Sequence, residues 1–171
     1  MKNRTVIFGG KPVTLAGKEI KSGDKAPDFT VVNSGLKPVK LSDYSGNVII
    51  IAVYPSIDTG VCQAQNRRFN AEATKMEDVV VLSISCDLPF AQRRFCAAEG
   101  LSKVIALSDH LNVEFGIKYG FLMEELRLLA RGTVVIDTAG IVRYVEYVAE
   151  IIQEPNYDAA LKIVKDLRAS L

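Results

Sequence analysis

Val48-Ile49-Ile50-Ile51-Ala52-Val53-Tyr54 is continuously apolar and largely β-branched, the pattern of a strand buried on both faces. Val79-Val80-Val81-Leu82-Ser83-Ile84 repeats the pattern 31 residues later. Between them, Gly60 to Met76 spaces Val61, Phe69, Ala73 and Met76 for one face of a helix. Strand, helix and strand in this order predict a right-handed crossover joining two parallel neighbours.

Further elements extend the same sheet. Val104-Ile105-Ala106-Leu107 reads as a third strand. Gly132 to Ile136 and Ile141 to Val145 flank Asp137-Thr138-Ala139-Gly140, a hairpin signal. Upstream, Thr5 to Phe8, Gly9-Gly10 and Val13 to Leu15 predict a small hairpin, with glycines supplying the positive φ of a tight turn. Asp28 to Val32 reads as a short strand and Leu41 to Gly46 as a turn. Asp87 to Glu99 has a helical stripe of Leu88, Ala91, Phe95 and Ala98, ended by Gly100. A closing helix carries Tyr157, Ala160, Leu161, Val164 and Leu167 on its apolar side. With no repeat or linker in view, residues 1–171 are expected to form one α/β domain around a mixed sheet.

That length can bury roughly 70% of the surface an unfolded chain exposes. Lys plus Arg number 21 against 20 Asp plus Glu, for a net charge of +1, so nothing points to nucleic acid or anionic lipid. Arg67-Arg68 and Arg93-Arg94 read as solvated helix faces. The basic start, Met1 to Arg4, is followed by only four residues before Gly9-Gly10, too few for a secretory leader, and no apolar run could span a bilayer. The cytoplasm is the expected location. The single histidine, His110, lies in a polar, loop-like stretch, and Cys62, Cys86 and Cys96 form no C-x-x-C pair, so no metal or other cofactor is expected.

In a reducing compartment, a bridge among three cysteines is expected to be transient and catalytic rather than structural. Cys62 falls where the buried strand turns into a helix. With Asp58 or Thr59 as N-cap, it lies in the first turn, where unpaired N–H groups and the dipole favour a thiolate. Pro55 ends the strand and restricts the loop, and the Thr59 hydroxyl can donate to the sulfur. Asp58 works against the thiolate, so a cation from elsewhere is required. Arg131, at the start of the strand from Gly132, is the candidate; an ordinary surface arginine is the alternative. For Cys62 itself, the alternative is a buried inert cysteine. Cys96 lies off the predicted apolar stripe of its helix, one turn from the end, where local unwinding would expose it. Cys86, at a strand end, reads as a small core hydrophobe.

Three strings then carry a resemblance. Pro55, Thr59 and Cys62 match the P-x-x-x-T-x-x-C pattern of the peroxiredoxins. The longer strings Pro55 to Cys62, Ser85 to Cys96 and Glu154 to Leu161 are similar to the bacterial thiol peroxidase branch of that family. The resemblance covers the chain from about residue 5 to its end. It implies a thioredoxin-like fold with a central mixed sheet, flanking helices and an added N-terminal β-hairpin. It implies a peroxidatic Cys62 and a resolving Cys96 that form an intramolecular disulfide, with Pro55, Thr59 and Arg131 contacting a hydroperoxide substrate. Hydrogen peroxide and organic hydroperoxides are the expected substrates, thioredoxin or a similar dithiol the reductant, and a homodimer the assembly. Cys86 has no counterpart in the catalytic pattern. Two rivals stand beside this reading: a thioredoxin-type oxidoreductase, which would need a C-x-x-C where Gln63-Ala64-Gln65 follows Cys62, and a non-catalytic redox sensor.

Overall fold

A computed structural model describes residues 3–171; Met1 and Lys2, part of the basic start, lie outside the described residues. The buried runs form β5 (Val48–Val53) and β6 (Val79–Ser85), parallel and in register from Val48↔Val79 to Val53↔Ile84. The helix between them is α1 (Gly60–Ala73). β7 (Val104–Ser108) continues the parallel run beside β6 after α2 (Pro89–Glu99). On the other side of β5 lies the antiparallel pair β10 (Gly132–Ile136) and β11 (Val142–Tyr147). β3 (Thr30–Asn33) and β4 (Pro38–Lys40) close the far edge, giving the order β11-β10-β5-β6-β7-β3-β4. The sheet is mixed, as expected.

β5 shows why the run had to be apolar throughout, because its two faces feed two cores. Val48, Ile50 and Ala52 meet Phe69, Ala73 and Met76 of the α1 region and Ala160, Leu161 and Val164 of α4 (Tyr157–Ala169). Ile49, Ile51 and Val53 face a second cluster that includes Val6, Val13 and Leu15 of the hairpin β1 (Arg4–Phe8) and β2 (Lys11–Ala16). Phe115 and Tyr119 of α3 (Glu114–Tyr119), with Phe29 and Phe121, fill that cluster by edge-on and stacked ring contacts.

Several expectations are corrected. The strand predicted from Asp28 begins at Thr30, and the turn at Leu41 is a 3-10 turn over Leu41–Tyr44. β4, α3 and the two-residue strands β8 (Leu122–Met123) and β9 (Leu128–Leu129), which extend the hairpin into a four-stranded sheet, carry too little periodicity to be read from sequence. On α1 the buried stripe is Cys62, Gln65, Asn66, Phe69 and Ala73, with Val61 only half-buried. On α2, Leu88 before the helix is 53% exposed and Ala98 is exposed, whereas Pro89 and Gln92 are buried. Cys96 follows Gln92 by one turn and is half-buried, so it lies on the covered side and not off it. Gly100 ends α2 in the left-handed conformation, as expected.

Candidate active site

Cys62 is the third residue of α1 and is fully buried. Thr59 is the N-cap residue, with extended backbone, and its carbonyl accepts the first helical bond from the Gln63 N–H. Its hydroxyl does not cap the helix. It points at the cysteine and donates to Cys62 Sγ at 2.7 Å. The N–H groups of Gly60, Val61 and Cys62 have no partner within the helix, so the positive end of the dipole lies beside the sulfur.

The second donor comes from the neighbouring strand. Arg131 immediately precedes β10, which pairs with β5 so that Gly132 lies opposite Val53. This register brings position 131 to the strand end from which the Cys62 loop departs. A side chain at Gly132 would collide with the Glu146 carbonyl and the Phe121 ring, which is why glycine stands there. Arg131 is 2% exposed and all its hydrogen bonds go inward. Nε donates to the Ile151 carbonyl at 2.7 Å, Nη1 to Gln65 Oε1 at 2.8 Å and Nη2 to Cys62 Sγ at 3.1 Å. No salt bridge among the described residues involves Arg131. A buried guanidinium needs a compensating anion. The group facing it is the sulfur, and two donors converging on that atom are the environment of a thiolate. Asp58, the residue that argued against one, is exposed and solvated.

Gln65 and Asn66 set the geometry from the buried face of α1. Gln65 holds the guanidinium through its carbonyl oxygen, while its Nε2 donates to the Val53 and Gly132 carbonyls, both at 3.2 Å. Asn66 Nδ2 donates to the Cys62 carbonyl at 2.9 Å and its oxygen accepts from Ser83, which accepts in turn from Tyr54. None of these residues was singled out from sequence. The signal was their spacing, three and four residues after Cys62, once Cys62 is placed on the buried stripe. Pro55 is buried where β5 ends; with no N–H to donate, it acts by shape.

Cys96 is not brought to the sulfur of Cys62. All three cysteines are free. Phe95 packs on Tyr54, Ile57 and Cys62, whereas Cys96 lines a separate cleft of about 570 Å³ with Tyr44, Arg93 and Leu101. Burial raises the Cys96 thiol above its ordinary value. Cys86 is pushed up to about 12, by burial first and then by the Asp109 and Asp87 carboxylates.

The sequence pattern of the Redoxin family matches residues 21–161. The chain belongs to the Redoxin family. A thiol peroxidase of Bacillus subtilis (strain 168) is 54% identical over 162 residues, covering 95% of this chain and 97% of that protein. A thiol peroxidase of Oceanobacillus iheyensis is 55% identical over 156 residues, covering 91% and 95%. The crystal structure of a peroxiredoxin-like protein from Aquifex aeolicus superposes with a TM-score of 0.90 at 42% identity, over 96% of this chain and 97% of that one. A thiol peroxidase from Chromobacterium violaceum, 21% identical, shares the fold with a TM-score of 0.87 over 99% and 100% of the two chains. The fold is thioredoxin-like, and this Redoxin-family chain is a thiol-dependent peroxidase of the peroxiredoxin type.

Proposed function

We propose that the chain reduces hydrogen peroxide and organic hydroperoxides through a two-cysteine cycle in which Cys62 is the peroxidatic and Cys96 the resolving residue. The observation that carries this reading is the pair of hydrogen bonds on Cys62 Sγ, from the Thr59 hydroxyl and the Arg131 guanidinium. The thiolate attacks the terminal oxygen of the hydroperoxide in line with the O–O bond. A sulfur–oxygen bond forms, the O–O bond breaks, and the departing alkoxide or hydroxide takes up a proton to leave as alcohol or water. Thr59 and Arg131, already directed at the reacting atom, stabilise the charge that shifts onto the oxygens. Pro55 shapes the loop against which the substrate lies.

Cys62 is then a sulfenic acid. The Cys96 thiol attacks its sulfur, water leaves, and the intramolecular disulfide forms. Cys62 is enclosed and Cys96 lines a different cleft, so the start of α1 and the turns of α2 around Cys96 unwind to bring the sulfurs within bonding range. A dithiol protein of the thioredoxin type returns both cysteines to thiols by exchange and carries away the disulfide. We assign the cycle to the cytoplasm, where such reductants operate, to a single domain over residues 1–171, and to a homodimer, on the strength of the family resemblance.

Peptide mapping without reductant, after one equivalent of hydrogen peroxide on reduced protein, tests the assignment. A Cys62–Cys96 link within one chain, with Cys86 free, is the expected product. A link through Cys86, or an unmodified Cys62, overturns it. Repeated turnover with a dithiol reductant separates the enzyme from a one-shot redox sensor.

A further inference from the structure

Between β6 and α2 lies a carboxylate with no place in the chemistry above. Asp87 Oδ1 accepts from the Ser56 hydroxyl at 3.0 Å, and Oδ2 accepts from the Ile57 N–H at 2.8 Å and the Ser85 hydroxyl at 2.6 Å. Ser56 and Ile57 belong to the loop that leads into Cys62. Ser85 Oγ also accepts from Gln92 Nε2 at 3.1 Å, and the same amide donates to the Leu107 carbonyl at 2.8 Å. Gln92 is 1% exposed and stands one helical turn before Cys96. The Asp87 carbonyl is fixed to the sheet by the Ser108 hydroxyl. An unbroken chain of hydrogen bonds therefore runs from the Cys62 loop through Asp87, Ser85 and Gln92 into the helix that carries Cys96.

We propose that Asp87 is a positioning residue that couples the two cysteine-bearing segments, holding both wound while Cys62 meets peroxide and releasing both together for disulfide formation. The proposal rests on the two-cysteine reading. No salt bridge among the described residues involves Asp87, so the charge of its carboxylate is met by neutral donors of the loop and of Ser85. When the loop moves, the Ser56 and Ile57 donors leave and the carboxylate turns to water. Ser85 then loses its acceptor and Gln92 its fixed partner. Gln92 Oε1 is buried without a hydrogen bond among the described residues, so its amide is held through Nε2 only and has a polar atom to gain by unwinding.

The test uses Asp87→Asn, whose amide keeps one acceptor oxygen and so cannot accept from the Ser56 hydroxyl on one side and from the Ile57 N–H and Ser85 hydroxyl on the other. In the reduced variant, hydrogen exchange should accelerate over residues 56–64 and also over 89–96, by at least about tenfold, the scale of one lost hydrogen bond to a charged group. Rapid-quench alkylation with mass spectrometry should show slower oxidation of Cys62 and faster formation of the Cys62–Cys96 link. Sulfinic acid at excess peroxide should fall accordingly. Destabilisation confined to the Cys62 loop would loosen 56–64 and leave 89–96 unchanged. Ser56→Ala, which removes the hydroxyl that donates to Asp87 and accepts from the Asp58 N–H but touches nothing on α2, should shift both segments in the same direction by less, and carries the test if Asp87→Asn does not fold. Loosening confined to 56–64, or a linking rate that does not rise, overturns the coupling. The exchange comparison needs no disulfide. Failure of the wild-type protein to form the link would therefore count against the two-cysteine reading, and the exchange data would still judge the coupling.

Discussion

Cys62, in the first turn of the helix that follows β5, and Cys86, just past the end of β6, follow neighbouring strands of one sheet, yet their surroundings oppose each other. Cys62 is fully enclosed and Cys86 only half-buried, so exposure alone would nominate Cys86 as the reactive thiol. Charge favours Cys62, the proposed peroxidatic residue. At Cys62 a guanidinium, a hydroxyl and a helix N-terminus converge on the sulfur. At Cys86 burial is joined by Asp109 and Asp87, with Arg127 opposing them only in part, and the thiol is pushed up to about 12. Enclosure costs a thiolate its hydration, but at Cys62 fixed donors replace that hydration; at Cys86 the nearest charges add to the loss.

The most direct way to break this contrast is to remove the cation. Arg131→Gln keeps a planar hydrogen-bonding group and deletes the charge. The second-order rate of Cys62 oxidation should fall by about 10²- to 10³-fold, the usual effect of losing one preorganised donor to a charged centre. Stopped-flow competition against a second peroxidase measures it, and a fall of less than a few-fold would mean the charge facing the sulfur is not what activates it. Thr59→Val should cost less, about 10²-fold, and Thr59→Ser should restore most of the rate because it returns the hydroxyl. A loss in Thr59→Ser with little loss in Thr59→Val would indicate that the γ-methyl group matters rather than the donated hydrogen bond.

Why the sequence disclosed Thr59 and Arg131 but not their supports is visible on two helices. Cys62 was read as lying in the first turn of a helix whose buried face began at Val61, the more apolar neighbour. The face actually begins at Cys62 and continues through Gln65, Asn66 and Phe69. The Asp87–Glu99 segment was misread in the same way: Leu88 and Ala98 suggested the covered side, and buried Gln92 occupies it. Apolar periodicity finds the core face of a helix only where that face is apolar. Around an active site the buried face carries amides that hold other groups in place, and there the pattern misleads by one residue. By contrast, β5, β6, β7, β10, β11, α4 and the N-terminal hairpin were legible because they bury ordinary hydrophobes. α3 and β8 were not, since six and two residues hold too little of any period.

The contrast can be sharpened from the Cys86 side. In folded, reduced protein, alkylation of Cys86 should climb about tenfold per pH unit between pH 7 and 10 without levelling, because only the thiolate reacts and the thiol titrates near about 12. Mass spectrometry of peptides after timed iodoacetamide treatment follows it. A plateau near pH 9 would show that neither burial nor the two carboxylates restrain Cys86. Cys86→Ala should leave peroxide turnover within about twofold of wild type, since no hydrogen bond of the Cys62 site passes through it; a larger loss would give this thiol a part in the cycle.

The smallest effect concerns Asp109 itself, the buried carboxylate beside Cys86. It accepts the N–H groups of Phe115 and Gly116 at 3.1 and 2.8 Å, fastening α3 to the end of β7. Burial outweighs those bonds and raises its pKa from 3.8 to about 6. A carboxyl group raised in the folded state favours folding when protonated, so its contribution is fully present below pH 3.8 and is lost as pH rises through about 6. Other carboxylates that are lowered by their partners, such as Asp137 and Asp28, act in the opposite direction and would mask the trend in wild type alone. The difference between wild type and Asp109→Asn isolates it. Denaturant unfolding at intervals from pH 4 to 8 should show the wild type losing stability relative to the variant up to about pH 6, then running parallel with it. A difference that is flat across that window, or a wild type that gains stability on the variant as pH rises, would mean that burial does not hold the Asp109 carboxyl group above its ordinary range.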